Sequence, residues 1–431
     1  MSTSEETVLR VERSEAGGCP VVHGLNFLGP VEVNEPSGYT EFLRREAPVS
    51  FVPETGFYLA TRHEDVSKVL TDHQAFEALL PPTQVPEEAR DLLPNGFVYQ
   101  QEGAISATAP PEHTRLRKLA QRGFTRGAVA SWAGPIEALC NDLVDEFKDA
   151  GQAELVDAYT SRFPIQVIAT ILRIDREETA QLYEWALDVF RLFGDPSIPH
   201  DEMMAICRRQ VEFQDWALAL IEERRALPEA DEGDVIRSFI DARDEDGGPR
   251  LSDTEIFSLV VAMISGGADT SSAAAAQMLR RILLDQDLRS RVEQDYEFLY
   301  TLMEEELRHD FVGRMAFRRV VPAGAELNGV SLPGGALVGA HIWSANHDEA
   351  AFGCPAQFDP DREDANKLLS WGKATHFCLG APLARLEVTT AVRVALQRLP
   401  NLRLVPGHEL RRVPAFFLPN VIGGLDVAWD V

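Results

Sequence analysis

In the stretch LSWGKATHFCLGAPLARLE, residues 369–387 of a 431-residue chain, Cys378 lies between Gly372 and Gly380, with Trp371 and His376 just upstream. A buried cysteine ordinarily behaves as a small hydrophobe. A thiol set between glycines, beside an aromatic ring and an imidazole, points instead to a sulfur that must meet something through a closely approaching backbone. A second stretch, VVAMISGGADTSSAAAAQ, puts Gly266 and Gly267 inside a helical pattern and Asp269 and Thr270 directly after them. Each interior glycine costs a helix about 1 kcal/mol relative to alanine, so the pair marks either close packing against another backbone or a groove. A Thr270 hydroxyl bonded back to a carbonyl would open the helix where the glycines weaken it, leaving an acid and an alcohol on the lip. A third stretch, EEELRHD, sets Glu305 and Arg308 three apart on one helical face. Alone, such a pair usually decorates a solvated surface.

The elements that position these residues follow from periodicity. GYTEFLRREA reads as a helix, PVSFVPETGFYLATR as a hairpin and HEDVSKVLTD as a further helix. A long loop follows, from about Leu79 to Pro111, and long loops in compact domains tend to be functional. From His113 to about Arg281 nearly every segment has helical period, and Ser252 with Glu255 three residues on marks the start of the long helix with a capping box. A helix ending in EEELRHD, short strands between Phe317 and Gly339, a coil, the cysteine loop and the helix APLARLEVTTAVRVALQRL complete the chain. The expected fold class is mainly α with a minor β lobe. Residues 1–24 are expected to be a flexible tail and 25–431 a single domain, since composition offers no linker.

Composition bounds the function. Forty-five per cent hydrophobic residues allow a large core, and a net charge of −27 opposes binding to nucleic acid. Five scattered cysteines without Cys-x-x-Cys pairing fit neither a disulfide framework nor structural zinc, so a reducing, cytoplasmic location is expected. The first residues are polar and acidic, giving no sign of a secretory or membrane segment.

Taken together, a Gly-Gly-x-Asp-Thr helix, a Glu-x-x-Arg pair about forty residues on and an aromatic-Gly-x-x-x-His-x-Cys-x-Gly loop about seventy further resemble the cytochrome P-450 family. The resemblance runs from about Gly38 to the C-terminus. It implies one helix-rich domain enclosing haem b, with Cys378 as the axial thiolate ligand of iron and O2 as co-substrate. It further implies that Ala268, Trp371, Gly372 and Gly380 pack against the haem, with Gly372 and Gly380 turning at positive φ, and that His113, Arg117, Arg319 and His376 bind its propionates. Arg318, adjacent to Arg319, is able to exchange roles with it. Asp269 and Thr270 match the family's proton-delivering acid–alcohol pair, and Glu305, Arg308 and Arg362 its buried structural network. By family position the substrate pocket would draw on Phe97, Leu192, Val261, Ser265, Val312, Arg314, Phe416 and Phe417. The family usually has phenylalanine where this chain has Trp371, which bears on packing beneath the thiolate.

The implied activity is monooxygenation of a small hydrophobic or aromatic compound, by hydroxylation or oxidative dealkylation. Electrons would come from NAD(P)H through a separate ferredoxin-type donor. Arg115, Arg117, Lys118, Arg122 and Arg126 form a basic island suited to such a donor, with Lys373 and Arg385 at the same face; the alternative is an ordinary solvated helix face. A peroxide-driven peroxygenase and a non-catalytic haem sensor are the competing activities, and the acid–alcohol pair weighs against both.

Overall fold

The computed structural model describes residues 9–13, 18–26, 36–79, 85–92, 103–192, 198–227, 234–243, 247, 251–310, 313–409, 412 and 424–431. Six helices position the site: α1 (Glu112–Ala120), α2 (Arg162–Leu172), α3 (Thr179–Arg191), α4 (Asp253–Leu284), α5 (Phe298–His309) and α6 (Ala381–Arg398). At the start of α4 the Ser252 hydroxyl accepts from the Glu255 amide and the Glu255 carboxylate accepts from the Ser252 amide, the capping box expected there. α4 runs unbroken through the glycine pair. Its length and composition would suit a membrane span, but 72% of its most apolar window is buried inside the fold, so it is the core helix against which α2, α3 and α6 pack. A helix at Gln286–Gln294, capped by Asp285, falls between the two helices that periodicity predicts.

The strands are β1 (Arg10–Glu12), β2 (Val21–His23), β3 (Val49–Val52), β4 (Phe57–Ala60), β5 (Phe76–Leu79), β6 (Gln152–Glu154), β7 (Met315–Val320), β8 (Ala325–Leu327), β9 (Val330–Leu332), β10 (Leu337–His341), β11 (Arg403–Leu404) and β12 (Asp426–Ala428). Seven form one sheet in the order β1-β2-β3-β4-β10-β7-β5, with β4 parallel to β10. The expected tail is therefore corrected over its described residues, which enter this sheet. Val11 pairs with Val22, Val21 adds in parallel to Phe51, and Val22 is fully buried with Leu25, Tyr39 and Leu43. Burying those side chains offsets the entropy of ordering a terminus.

β7 fixes which of two adjacent arginines faces inward. Arg318 lies opposite Ala78 and Val338, and Arg319 opposite Glu77 and Leu337. Because alternate residues of a strand face opposite sides, Arg318 is buried and Arg319 exposed.

Candidate active site

Cys378 ends a closed loop. Gly372 turns the chain at φ 74°, where a Cβ would stand 2.7 Å from the His376 carbonyl oxygen, so a side chain has no room. The Cys378 amide donates to the Trp371 carbonyl at 2.7 Å, and α6 begins at Ala381. Gly380 does not adopt the expected positive φ. It caps α6 at φ −80°, and an added Cβ would lie 4.0 Å from the Cys378 sulfur. Cys378 is exposed only in the sense that its sulfur opens onto a cavity of about 320 Å³. Burial pushes its thiol up, while the amides of Gly380 and Ala381 and the charges of Arg117 and Arg385 pull it down. Those donors at a helix N-terminus favour the thiolate once a cation is opposite it.

α4 forms the facing wall. Leu259, Ala262, Met263, Gly266, Gly267, Thr270 and Ser271 line the cavity, a stripe at helical spacing. The two glycines do different work. A Cβ on Gly267 would stand 2.7 Å from the Ile168 side chain, so this glycine admits α2, whereas a Cβ on Gly266 would meet nothing within 4 Å. The Thr270 hydroxyl donates to the Gly266 carbonyl at 2.9 Å. Asp269 is rotated off the stripe and buried, and the Tyr183 side chain of α3 acts on its carboxylate. Burial pushes Asp269 up to about 6.

Four basic side chains meet at one edge. The His113 and His376 rings lie 4.2 Å apart between centroids, Arg117 donates to the Thr375 carbonyl at 3.1 Å, and Arg318 donates to the Phe317 carbonyl at 2.8 Å. Among the described residues none of the four has a carboxylate partner. The Nδ1 of His113 has no hydrogen-bond partner among the described residues. Burial, followed by the neighbouring cations, pushes His113 down to about 4 and His376 to about 3, and burial alone brings Arg318 to about 10. Two guanidinium groups without a carboxylate partner among the described residues, Arg318 buried and Arg117 half-buried beside two imidazoles held neutral, are expensive unless an anion belongs with them. The thiol on one wall, the glycine-opened wall opposite and this cluster at the edge fit a haem with two propionates. The inward arginine is Arg318; Arg319, expected in this role, faces solvent.

Beneath the loop, the Trp371 indole donates to Glu304 at 2.9 Å, Arg385 donates to the other oxygen of Glu304 at 2.6 Å, and the Arg385 guanidinium lies 4.5 Å from the Trp371 ring centroid. Arg385 is thus paired. Lys373 is half-buried and donates to the Ser67 hydroxyl at 2.6 Å, and Arg115 is held by Glu112 and Glu255. The expected basic island narrows to the exposed Lys118, Arg122 and Arg126.

The substrate positions need further correction. Val261 and Ser265 are fully buried on the face of α4 turned away from the cavity, where the Ser265 hydroxyl donates to the Val261 carbonyl. Ala268 packs in the same core. Helical phase explains this, since residues 261, 265 and 268 lie on the side opposite 259, 262, 266 and 270. Leu192 belongs to a separate cluster with Ala89, Met203, Ile206 and Cys207. Arg314 is buried, and its charge acts on Asp310. Phe97, Val312, Phe416 and Phe417 lie outside the described residues. Among the described residues the apolar lining comes from Ile105, Phe124, Ile168, Phe239, Leu259 and Met263.

Two polar residues on the cavity wall carry no sequence motif used above. The Ser271 hydroxyl donates to Glu387 at 2.6 Å; among the described residues the other Glu387 oxygen has no partner, and burial pushes this carboxyl up to about 8.

Comparison with known proteins agrees with this geometry. The sequence profile of the family Cytochrome P450 matches residues 56–409. The chain is 30% identical over 414 residues to the mycinamicin IV hydroxylase/epoxidase of Micromonospora griseorubida, covering 95% of this chain and 97% of that protein. It is 30% identical over 371 residues to the 6-deoxyerythronolide B hydroxylase of Saccharopolyspora erythraea, covering 84% and 88%. Among solved structures, a cytochrome P450 from Chondromyces apiculatus superposes with a TM-score of 0.80 at 26% identity, over 95% of this chain and 98% of that one.

Proposed function

The chain belongs to the cytochrome P450 family and is a monooxygenase-type oxidoreductase, and from that premise we propose how its own residues carry the activity. Cys378 would hold haem iron as thiolate, and Arg117, Arg318, His113 and His376 would hold the propionates. When bound, a thiolate-ligated haem supplies reductive cleavage of O2 and insertion of one oxygen atom into an organic substrate. The protein's part is to admit and orient the substrate, exclude bulk water and deliver protons. Ile105, Phe124, Phe239, Leu259 and Met263 give the cavity an apolar lining, which suits a hydrophobic substrate. The hydroxylases named above act on mycinamicin IV and 6-deoxyerythronolide B. Thr270, whose hydroxyl bonds back to the Gly266 carbonyl, would hold a water at the reacting face, and Asp269 would resupply its proton.

Electrons would reach the site from a separate ferredoxin-type carrier. Exposed Lys118, Arg122 and Arg126 in a chain of net charge −27 support a local docking face for an acidic partner. The observation that carries the whole reading is the Cys378 sulfur and the Thr270 hydroxyl on the lining of one apolar cavity.

The test begins with hydrophobic compounds screened by the ferric spin-state shift, followed by turnover with NAD(P)H, a ferredoxin and its reductase. Thr270→Ala should lower product formed per NAD(P)H by about tenfold or more while O2 consumption continues and peroxide accumulates. Full coupling in the variant, or wild-type turnover driven equally well by peroxide without reductant, would reject the proton-relay reading. Haem retention tests the edge cluster separately. Arg318→Leu should weaken haem binding by roughly 10–100-fold, whereas Arg319→Leu should leave it unchanged; equal losses would reject the assignment of Arg318.

A further inference from the structure

Trp371 stands where the family usually has phenylalanine, and its indole brings an N–H donor into the loop that ends at Cys378. The Cys378 amide closes that loop on the Trp371 carbonyl at 2.7 Å, and both residues line the same cavity. The indole N–H is taken by α5: it donates to one oxygen of Glu304 at 2.9 Å, while the other Glu304 oxygen accepts from the Arg385 Nε of α6 at 2.6 Å. Arg385 completes a triangle, with its guanidinium 4.5 Å from the Trp371 ring centroid. The Glu304 and Arg385 side chains are 28% and 30% exposed, so water screens the pair only in part. Glu305, the next residue on α5, turns to Arg308 and Arg362 instead, which fixes the helix that presents Glu304. An indole has a single N–H. While Glu304 holds it, the sulfur cannot.

We propose that Glu304 is a positioning residue for the thiolate: by holding the Trp371 N–H and neutralising Arg385, it keeps a hydrogen-bond donor and a positive charge from drawing electron density off the Cys378 sulfur. The inference rests on Cys378 being the axial ligand. Donors and cations aimed at a ligand sulfur favour the reduced, more negative metal centre and weaken the sulfur's donation. Arg385 acts on this sulfur from α6, and Glu304 is the anion that offsets it. A phenylalanine at position 371 would present no N–H to be held; the tryptophan of this chain does, and the same carboxylate serves both donors.

Glu304→Ala removes both acceptor oxygens and the charge, whereas Glu304→Gln keeps one acceptor. The ferric–ferrous reduction potential of the substrate-free holoenzyme should rise in both. The expected change for Glu304→Ala is roughly tenfold in the equilibrium constant, about 59 mV for one electron, and less for Glu304→Gln. The infrared stretch of carbon monoxide on the ferrous protein should move to higher frequency, because a poorer sulfur donor leaves the iron less electron density to share. Trp371→Phe alone should shift the potential less than Glu304→Ala does. Added to Glu304→Ala, Trp371→Phe should reverse part of the rise and Arg385→Met most of the remainder; a rise that neither reverses would overturn the proposal. Independently of the potential, the Trp371 indole proton should exchange faster with solvent in Glu304→Ala. It is identified in the NMR spectrum of the carbon monoxide form by its loss in Trp371→Phe. If the parent shows the long-wavelength Soret band of a thiolate-ligated haem and Glu304→Ala changes neither potential nor carbon monoxide stretch, the role of Glu304 is overturned and the ligand reading survives. A parent without that band removes the ligand reading itself. A lowered melting temperature with potential and stretch unchanged would make Glu304 only a tie between α5 and α6, and overturn the proposal.

Discussion

Cys378→Ser should abolish monooxygenation and remove the long-wavelength Soret band of the reduced carbon monoxide adduct, with haem still bound. Serine keeps the shape of the loop, because Gly372 and the Cys378-to-Trp371 amide bond set it without the sulfur. Its hydroxyl, however, stays protonated where a thiol ionises, and a neutral oxygen does not donate the electron density that favours O–O cleavage. The surroundings are arranged for an anion, with the amides of Gly380 and Ala381 and the charges of Arg117 and Arg385 all acting on the sulfur. The loss should exceed the roughly 10–100-fold that removal of an outer partner costs. Retention of haem follows from the edge cluster, since Arg117, Arg318, His113 and His376 do not depend on the ligand. Cys378→Ser and Arg318→Leu therefore separate ligation from retention: the first should change the spectrum at near-normal haem content, the second the haem content at a normal spectrum. A Cys378→Ser protein that kept both band and turnover would refute the assignment of the ligand.

What the sequence conceals is mostly a matter of which way a residue faces. The cysteine loop and the capping box at Ser252 are local, so their residues imply their geometry directly. α4 is apolar on nearly every side, as a fully buried helix is, and VVAMISGGA alone does not say whether Val261 or Ala262 meets the cavity; the packing of Ile168 on Gly267 decides it. Arg318 and Arg319 are chemically equal neighbours, and their facing depends on pairing with strands far away in the chain, at Ala78 and Val338. Tyr183 and Glu304 have no motif of their own. Each becomes readable only after α3 is laid against Asp269 and α5 against Trp371 and Arg385. The basic island shows the reverse error, because a count of arginines on one segment omits the acids that folding brings to them, here Glu255 against Arg115 and Glu304 against Arg385.

The second large effect concerns a residue that touches no part of the cavity. Glu305→Ala should destabilise the fold by roughly 3–5 kcal/mol, the cost of leaving buried charge unpaired, against a total of about 5–15 kcal/mol for a native protein. Glu305 accepts two hydrogen bonds from Arg308 at 2.8 Å, one from Arg362 at 2.8 Å and one from the Asp359 amide at 2.8 Å, with the side chains of all three charged residues at most 4% exposed. Replacing such a set together by apolar residues is often neutral. Here it should not be. Arg308 also donates to the carbonyls of Asn346, Pro355 and Gln357, and Arg362 to those of Gly353 and Gln357. The triple change Glu305→Leu, Arg308→Met, Arg362→Met would remove the charge penalty but leave those carbonyls without their donors, so denaturant unfolding should recover little of the loss. The damage should reach the active site as well. The Asn346 side chain accepts from the Leu369 amide and donates to the Ser370 hydroxyl, which in turn donates to the Leu307 carbonyl at the base of the cysteine loop. Haem affinity is therefore expected to fall with stability in Glu305→Ala. A triple variant with parental stability would mean that the network balances charge and does not hold the coil between Asn346 and Arg362 in place.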